Sequence, residues 1–138
     1  MFTIREIDHL VLRVRDLEAM VTFYCDVIGC QVDRRRDDLG LVHLRAGRSL
    51  IDLVSVDGKL GQAGGAAPGS QGHNVDHFCL RIDPYDESAL RQHLAAAGVK
   101  TGKGGVRYGA EGLGPSLFLS DPEGNTVELR GPPEVPAS

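Results

Sequence analysis

The chain repeats itself, and that repeat constrains the fold more than any other feature. Asp8-His9-x-x-Leu12-Arg13-Val14 near the N-terminus returns as Asp76-His77-x-x-Leu80-Arg81-Ile82. Each copy is followed by an acidic residue suited to cap a helix, Asp16 in the first and Asp83 or Asp86 in the second. Apolar residues then recur at helical spacing, Leu17, Met20, Val21, Tyr24, Val27 and Ile28 in the first copy, and Gly29 or Gly98 ends the run. Further on, Leu44 corresponds to Leu119, and Ile51-Asp52-Leu53 to Val127-Glu128-Leu129, at a slightly larger spacing. One insertion in "GKGGVRYGAEGLGPS" reconciles the two spacings. A strand, a helix and three strands, present twice, make an α+β chain of two βαβββ modules. The expected organisation is one domain: a first module over 1–57, a Gly-rich linker or mobile loop over 58–73, a second module over 74–131 and a Pro-rich tail over 132–138.

Strand parity then sorts the side chains. Residues two apart share a face. One face collects Leu10, Leu12, Val14, Ile51, Leu53, Phe78, Leu80, Ile82, Val127 and Leu129, which the helices cover from the outside. The opposite face collects His9, Val11 and Arg13; Leu50, Asp52 and Val54; His77, Cys79 and Arg81; Thr126, Glu128 and Arg130. A carboxylate in the middle of an aliphatic strand, as in "TVELR", is therefore on a polar face with two imidazoles and a second carboxylate. His9 is equivalent to His77 and Asp52 to Glu128. If the sheet curls into a cup, pseudo-twofold symmetry gathers these four into an N/O donor set for one divalent ion, zinc, nickel, cobalt, manganese or ferrous iron. Taken singly, each has an ordinary structural or solvated reading, and Asp52 has the shortest reach.

Composition excludes other classes. The net charge of −4 lies in no long run and only 5% of residues are aromatic, so neither an electrostatic nor a stacking surface for nucleic acid is expected. No apolar run approaches the roughly 20 residues of a membrane span, and "MFTIREIDHL" is not a signal peptide, so a cytoplasmic location is expected. Three scattered cysteines without a CxxC pair read as free thiols.

In "IDHLVLRVRDLEAMVTFYCDVIG", "VDHFCLRI" and "DPEGNTVEL" the sequence resembles the vicinal oxygen chelate superfamily, which includes glyoxalase I, extradiol dioxygenases, fosfomycin-resistance enzymes and bleomycin-binding proteins. The resemblance implies paired modules in a curved mixed sheet around a metal-binding cup, in a chain that acts on a small molecule as a homodimer. His9, His77 and Glu128 match the shared ligands, and Asp52 stands where glyoxalase I has a Glu. The first activity implied is that of a lactoylglutathione lyase-like lyase or isomerase working through a metal-stabilised enediolate, with Asp52 or Glu128 as the base. Arg13 matches an arginine that contacts the glutathione carboxylate, while Val56 stands in place of an asparagine, so glutathione remains an open cosubstrate. Two other activities use His9, His77 and Glu128. A ring-cleaving extradiol dioxygenase would place Tyr108, from the loop before the last hairpin, near a phenolate. A thiol transferase of the fosfomycin type would use Arg13, Arg81 and Arg130 as substrate anion partners. A binding protein that sequesters a drug, as the bleomycin-resistance relatives do, is the alternative outside catalysis.

Four features remain. His43 alternates onto one face with Leu41 and Arg45, and Cys79 lies between His77 and Arg81 on the polar face. Asp121-Pro122-Glu123-Gly124-Asn125 is a turn that fixes hairpin register. The tail "PPEVPAS" has neither helix nor strand character.

Overall fold

The computed structural model describes residues 1–137 and divides into two compact units, the first ending at Asn74 and the second beginning at Val75. The first contains β1 (His9–Val14), α1 (Leu17–Thr22), β2 (Gln31–Arg36), β3 (Leu41–Ala46), β4 (Ser49–Ser55) and the short α2 (Lys59–Gln62). Its sheet runs β1-β4-β3-β2, with β1 parallel to β4 and the other pairs antiparallel. The second contains β5 (Phe78–Arg81), α3 (Glu87–Ala96), β6 (Thr101–Gly109), β7 (Gly112–Ser120), β8 (Thr126–Arg130) and β9 (Val135–Pro136). Its main path, β5-β8-β7-β6 with β5 parallel to β8, repeats the first sheet's order and sense. The fold is α+β, and the duplication inferred from the sequence is a duplication of topology.

Local chemistry explains the helices. Asp16 accepts from Ala19 N (3.1 Å) and Asp86 from Ala89 N (3.0 Å), each satisfying an amide that the first turn leaves without a partner. Met20, Val21, Phe23 and Tyr24 form the buried stripe in the first unit, and α1 passes into π-helical turns over Phe23–Ile28 before Gly29 ends the helix in the left-handed region (φ 100°). Beneath it lie Leu12, Val14, Val42, Leu44, Ile51 and Leu53, all buried. In the second unit Leu94 of α3 is buried, as are Leu117, Leu119, Val127 and Leu129. Parity thus places the aliphatic face correctly, although Leu10, Phe78, Leu80 and Ile82 are only half-buried.

Four expectations need correction. The alternation over residues 4–14, "IREIDHLVLRV", reads as one strand, but β1 begins only at His9. The glycine-rich segments expected as linker and loop are ordered because their glycines permit close approach. At Gly61 a Cβ would collide with the Ser55 carbonyl, so α2 can lie against the end of β4. Arg13 donates to the carbonyls of Gly64 (3.0 Å), Ala66 (3.1 Å), Gly61 (3.2 Å) and Gly65 (2.8 Å), and Arg15 to that of Pro68. Asn74 closes the segment by bonding both the N–H (2.9 Å) and the carbonyl (3.0 Å) of Arg13. Tyr108 stands on a strand, since β6 pairs with β7 through Tyr108↔Leu113 and Arg107↔Gly114. At Gly109 any side chain would strike the Arg130 guanidinium, so this glycine marks packing and not a loop. Finally, the tail pairs with β7 through Val135↔Leu113 and Pro136↔Gly112, while its last residue, Ser138, lies outside the described residues. Among the described residues no helix is long and apolar enough to cross a membrane.

Candidate functional site

Each unit presents one imidazole and one carboxylate at the parallel pair of strands that forms one end of its sheet order. In the first, His9 lies at the start of β1 and Asp52 in the middle of β4, with His9 Nε2 3.9 Å from Asp52 Oδ2. In the second, His77 immediately precedes β5 and Glu128 is central in β8, with His77 Nε2 3.4 Å from Glu128 Oε1. The carboxylates are almost fully buried, their side chains 7% and 8% exposed, whereas the imidazoles are 48% and 38% exposed. A buried carboxylate facing a half-open imidazole is an expensive arrangement unless a cation or donor completes it.

The residue before each histidine completes the pattern. Asp8 Oδ1 lies 2.8 Å from His9 Nδ1, and Asp76 Oδ2 lies 2.6 Å from His77 Nδ1. Because an ionised carboxylate only accepts, the Nδ1 atoms donate, which leaves the Nε2 lone pair of each neutral ring facing the buried carboxylate. Metal-ligating histidines are oriented in this way. The hydrogen bond that His9 donates to Asp8, reinforced by the charge of Asp52, raises the His9 pKa above the usual imidazole value. The repeat shows Asp8 and Asp76 plainly, yet their orienting role emerges only from the structure.

Two donors about 2.1 Å from a tetrahedral ion stand about 3.4 Å apart. The His77–Glu128 pair already has that separation, and the His9–Asp52 pair is wider by about half an ångström at 3.9 Å. Both pairs fit a divalent ion by donor type and orientation. Among the described residues, no group of three or more His, Cys, Asp or Glu side chains is set to hold one.

The carboxylates differ in their cross-strand neighbours. Opposite Asp52 stand Val11 on β1 and His43 on β3, and His43 Nδ1 donates to Asp52 Oδ1 at 2.7 Å. Opposite Glu128 stand Cys79 on β5 and Phe118 on β7. Phe118 packs edge-on to the His77 ring, centroids 5.4 Å apart, and carries the Arg107 guanidinium 4.6 Å from its own centroid. Desolvation, then the charge of Glu128, pushes the Cys79 thiol up to about 12, so it stays protonated. In the second unit a cavity of about 340 Å³ is lined by His77, Cys79, Arg81, Tyr108, Glu128 and Arg130 among others.

The three arginines have protein partners. Arg13 holds the glycine-rich segment, Arg81 Nε donates to Glu111 (2.7 Å), and the buried Arg130 donates through Nη2 to the Gly112 carbonyl (2.9 Å). Tyr108 is 64% exposed at the cavity wall.

Comparison with known proteins gives a consistent family. The model of the Glyoxalase/Bleomycin resistance protein/Dioxygenase superfamily matches residues 6–129. Virulence protein STM3117 of Salmonella typhimurium is 30% identical over 129 residues, covering 91% of this chain and 83% of the relative. Its crystal structure superposes with a TM-score of 0.77, at 25% identity and over 95% of this chain and 99% of that one. Ethylmalonyl-CoA/methylmalonyl-CoA epimerase of Cereibacter sphaeroides is 28% identical, covering 91% of this chain and 97% of the relative. Catechol-2,3-dioxygenase of Bacillus subtilis is 27% identical over 89% of this chain, but the match spans only 40% of that relative's length.

Proposed function

The chain belongs to the Glyoxalase/Bleomycin resistance protein/Dioxygenase superfamily, and from that premise we propose that it is a metal-dependent isomerase or lyase moving a proton beside a carbonyl of a small oxygenated metabolite. One observation carries the reading: each unit aims a buried carboxylate at the Nε2 of a histidine whose Nδ1 is already held. His9 with Asp52 in the first unit, and His77 with Glu128 in the second, are the residues that would hold a divalent ion, and exposed Phe2, Ile4 and Ile7 offer apolar surface for a homodimer. When bound, the ion would polarise the substrate carbonyl and stabilise negative charge developing on its oxygen. Glu128, or Asp52 at the equivalent position, takes the proton from the adjacent carbon and returns it, within reach of a substrate in the cavity that Glu128 lines. The related epimerase, matched along nearly its whole length, supports proton transfer over other chemistries. Glutathione has less support than this general class, because the Arg13 guanidinium is engaged by four backbone carbonyls.

Deuterium wash-in tests the proposal. The metal-loaded protein is incubated in D2O with 2-acyl thioesters, hemithioacetals and α-hydroxy ketones, and the proton beside the carbonyl is followed by NMR. Exchange that Glu128→Gln abolishes is the expected result; no exchange in any class overturns it. Extradiol cleavage is the second reading, favoured by Tyr108 at the wall of a cavity shared with His77 and Glu128. Ring-opened product from a catechol with the iron(II)-loaded protein, without wash-in, would select it.

A further inference from the structure

The two carboxylates are unequal, and the inequality involves one cross-strand pair. In the first unit, β3 and β4 set His43 directly opposite Asp52; in the second, β7 and β8 set Phe118 directly opposite Glu128. Two substitutions thus separate equivalent positions: the carboxylate is one methylene shorter, and its neighbour is a hydrogen-bond donor where the other unit has an aromatic ring. Directly opposed side chains on one face of an antiparallel pair are near neighbours, so the differences act on each other.

The geometry shows how. Asp52 is 5% exposed, and a buried carboxylate needs donors. His43 Nδ1 engages Oδ1 at 2.7 Å, a short charge-assisted bond. The other oxygen, Oδ2, is left turned toward His9 Nε2 at 3.9 Å. A free Asp side chain rotates about χ1 and χ2, whereas one with Oδ1 pinned across the ladder presents only Oδ2. Glu128 lacks such a histidine, and its longer chain already reaches within 3.4 Å of His77.

We propose that His43 is a positioning residue that compensates for the short reach of Asp52, fixing Oδ1 so that Oδ2 alone faces the divalent ion beside His9. The inference rests on the metal reading given above. It predicts that His43 influences metal affinity only through Asp52.

Cobalt(II) binding to the full chain, followed by the visible absorption of the bound ion and by calorimetry, tests it. His43→Phe, which copies the second unit, is expected to weaken binding roughly 10- to 100-fold, the range typical of lost carboxylate or histidine support around a metal. His43→Gln, whose amide can still donate to Oδ1, is expected to stay within about threefold of the parent. In an Asp52→Ala background, adding His43→Phe should change the affinity no further, a non-additivity that a merely structural role would not produce. If His43→Phe binds like the parent, or if its effect persists in the Asp52→Ala background, the inference is overturned while the metal site stands. If the parent protein binds no cobalt, the metal reading itself fails and this inference falls with it. Urea unfolding of both His43 variants shows whether a loss of binding reflects loss of fold, and the Gln variant decides the question if the Phe variant does not fold.

Discussion

Replacing Asp121 by alanine tests how the second unit sets the position of Glu128. Asp121 ends the approach to the turn between β7 and β8 and is 4% exposed. Its Oδ1 accepts from the N–H of Glu123 (2.9 Å) and of Asn125 (3.0 Å), and its Oδ2 accepts from Asn125 Nδ2 (2.8 Å). Two backbone bonds of the turn survive the substitution, from the Asp121 N–H to the Asn125 carbonyl (2.9 Å) and from the Gly124 N–H to the Asp121 carbonyl (3.0 Å). The loss is therefore three charge-assisted bonds, at about 1.5 kcal/mol each, offset in part by relief of the carboxylate's own desolvation. A net destabilisation of about 3 kcal/mol follows, or a fall of about 10 °C in Tm for a chain of this size. Urea titration monitored by circular dichroism measures it, with Asp121→Asn, which keeps one acceptor oxygen, expected to fall between. Because the turn sets the register from Ser120↔Thr126 through Leu119↔Val127 to Phe118↔Glu128, the alanine variant should also bind metal more weakly. A destabilisation below about 1 kcal/mol would refute the reasoning, since the carboxylate would then not be what holds the turn.

Three further outcomes are expected. Arg13→Met should release the segment around residues 61–66 and make it the first site cut in limited proteolysis, at a stability cost of about 1–2 kcal/mol; unchanged digestion would count against the clamp. Cys79, accessible but held up to about 12, has roughly one part in ten thousand as thiolate at pH 8, so iodoacetamide should label it at least about a hundredfold more slowly than in the unfolded chain. Glu128→Gln removes a negative charge that disfavours the thiolate and should speed that labelling, and no acceleration would remove Glu128 as a cause. In an NMR titration of the metal-free protein, His9 should protonate above the usual imidazole midpoint, and Asp8→Asn should lower that midpoint. Since metal needs the neutral ring, loading should weaken as pH falls through the raised His9 pKa, and a midpoint unmoved by Asp8→Asn would contradict the assigned cause.

The sequence carries the topology because the repeat is written in residues that do backbone work: capping aspartates, helix-ending glycines and alternating strand faces. Parity puts His9, Asp52, His77 and Glu128 on one polar face, and the structure pairs His9 with Asp52 at 3.9 Å and His77 with Glu128 at 3.4 Å. Glycine was the less legible residue. The same residue type that frees a loop also permits tight packing, and only the neighbours of Gly61 and Gly109 reveal which role it has. The arginines were opaque for a similar reason: the carbonyls that receive Arg13 and Arg130 are assembled by tertiary structure. The His43–Asp52 bond depends on the register of β3 against β4, which alternation does not supply.

Metal analysis of the purified protein beside a His77→Ala variant, after loading with nickel, zinc, manganese and ferrous iron in turn, tests the central claim most directly. About one divalent ion per chain for the parent and none for the variant is the predicted result. No metal in the parent under any loading, or equal metal in both proteins, would contradict it and leave a metal-free binding protein of the same fold as the better description.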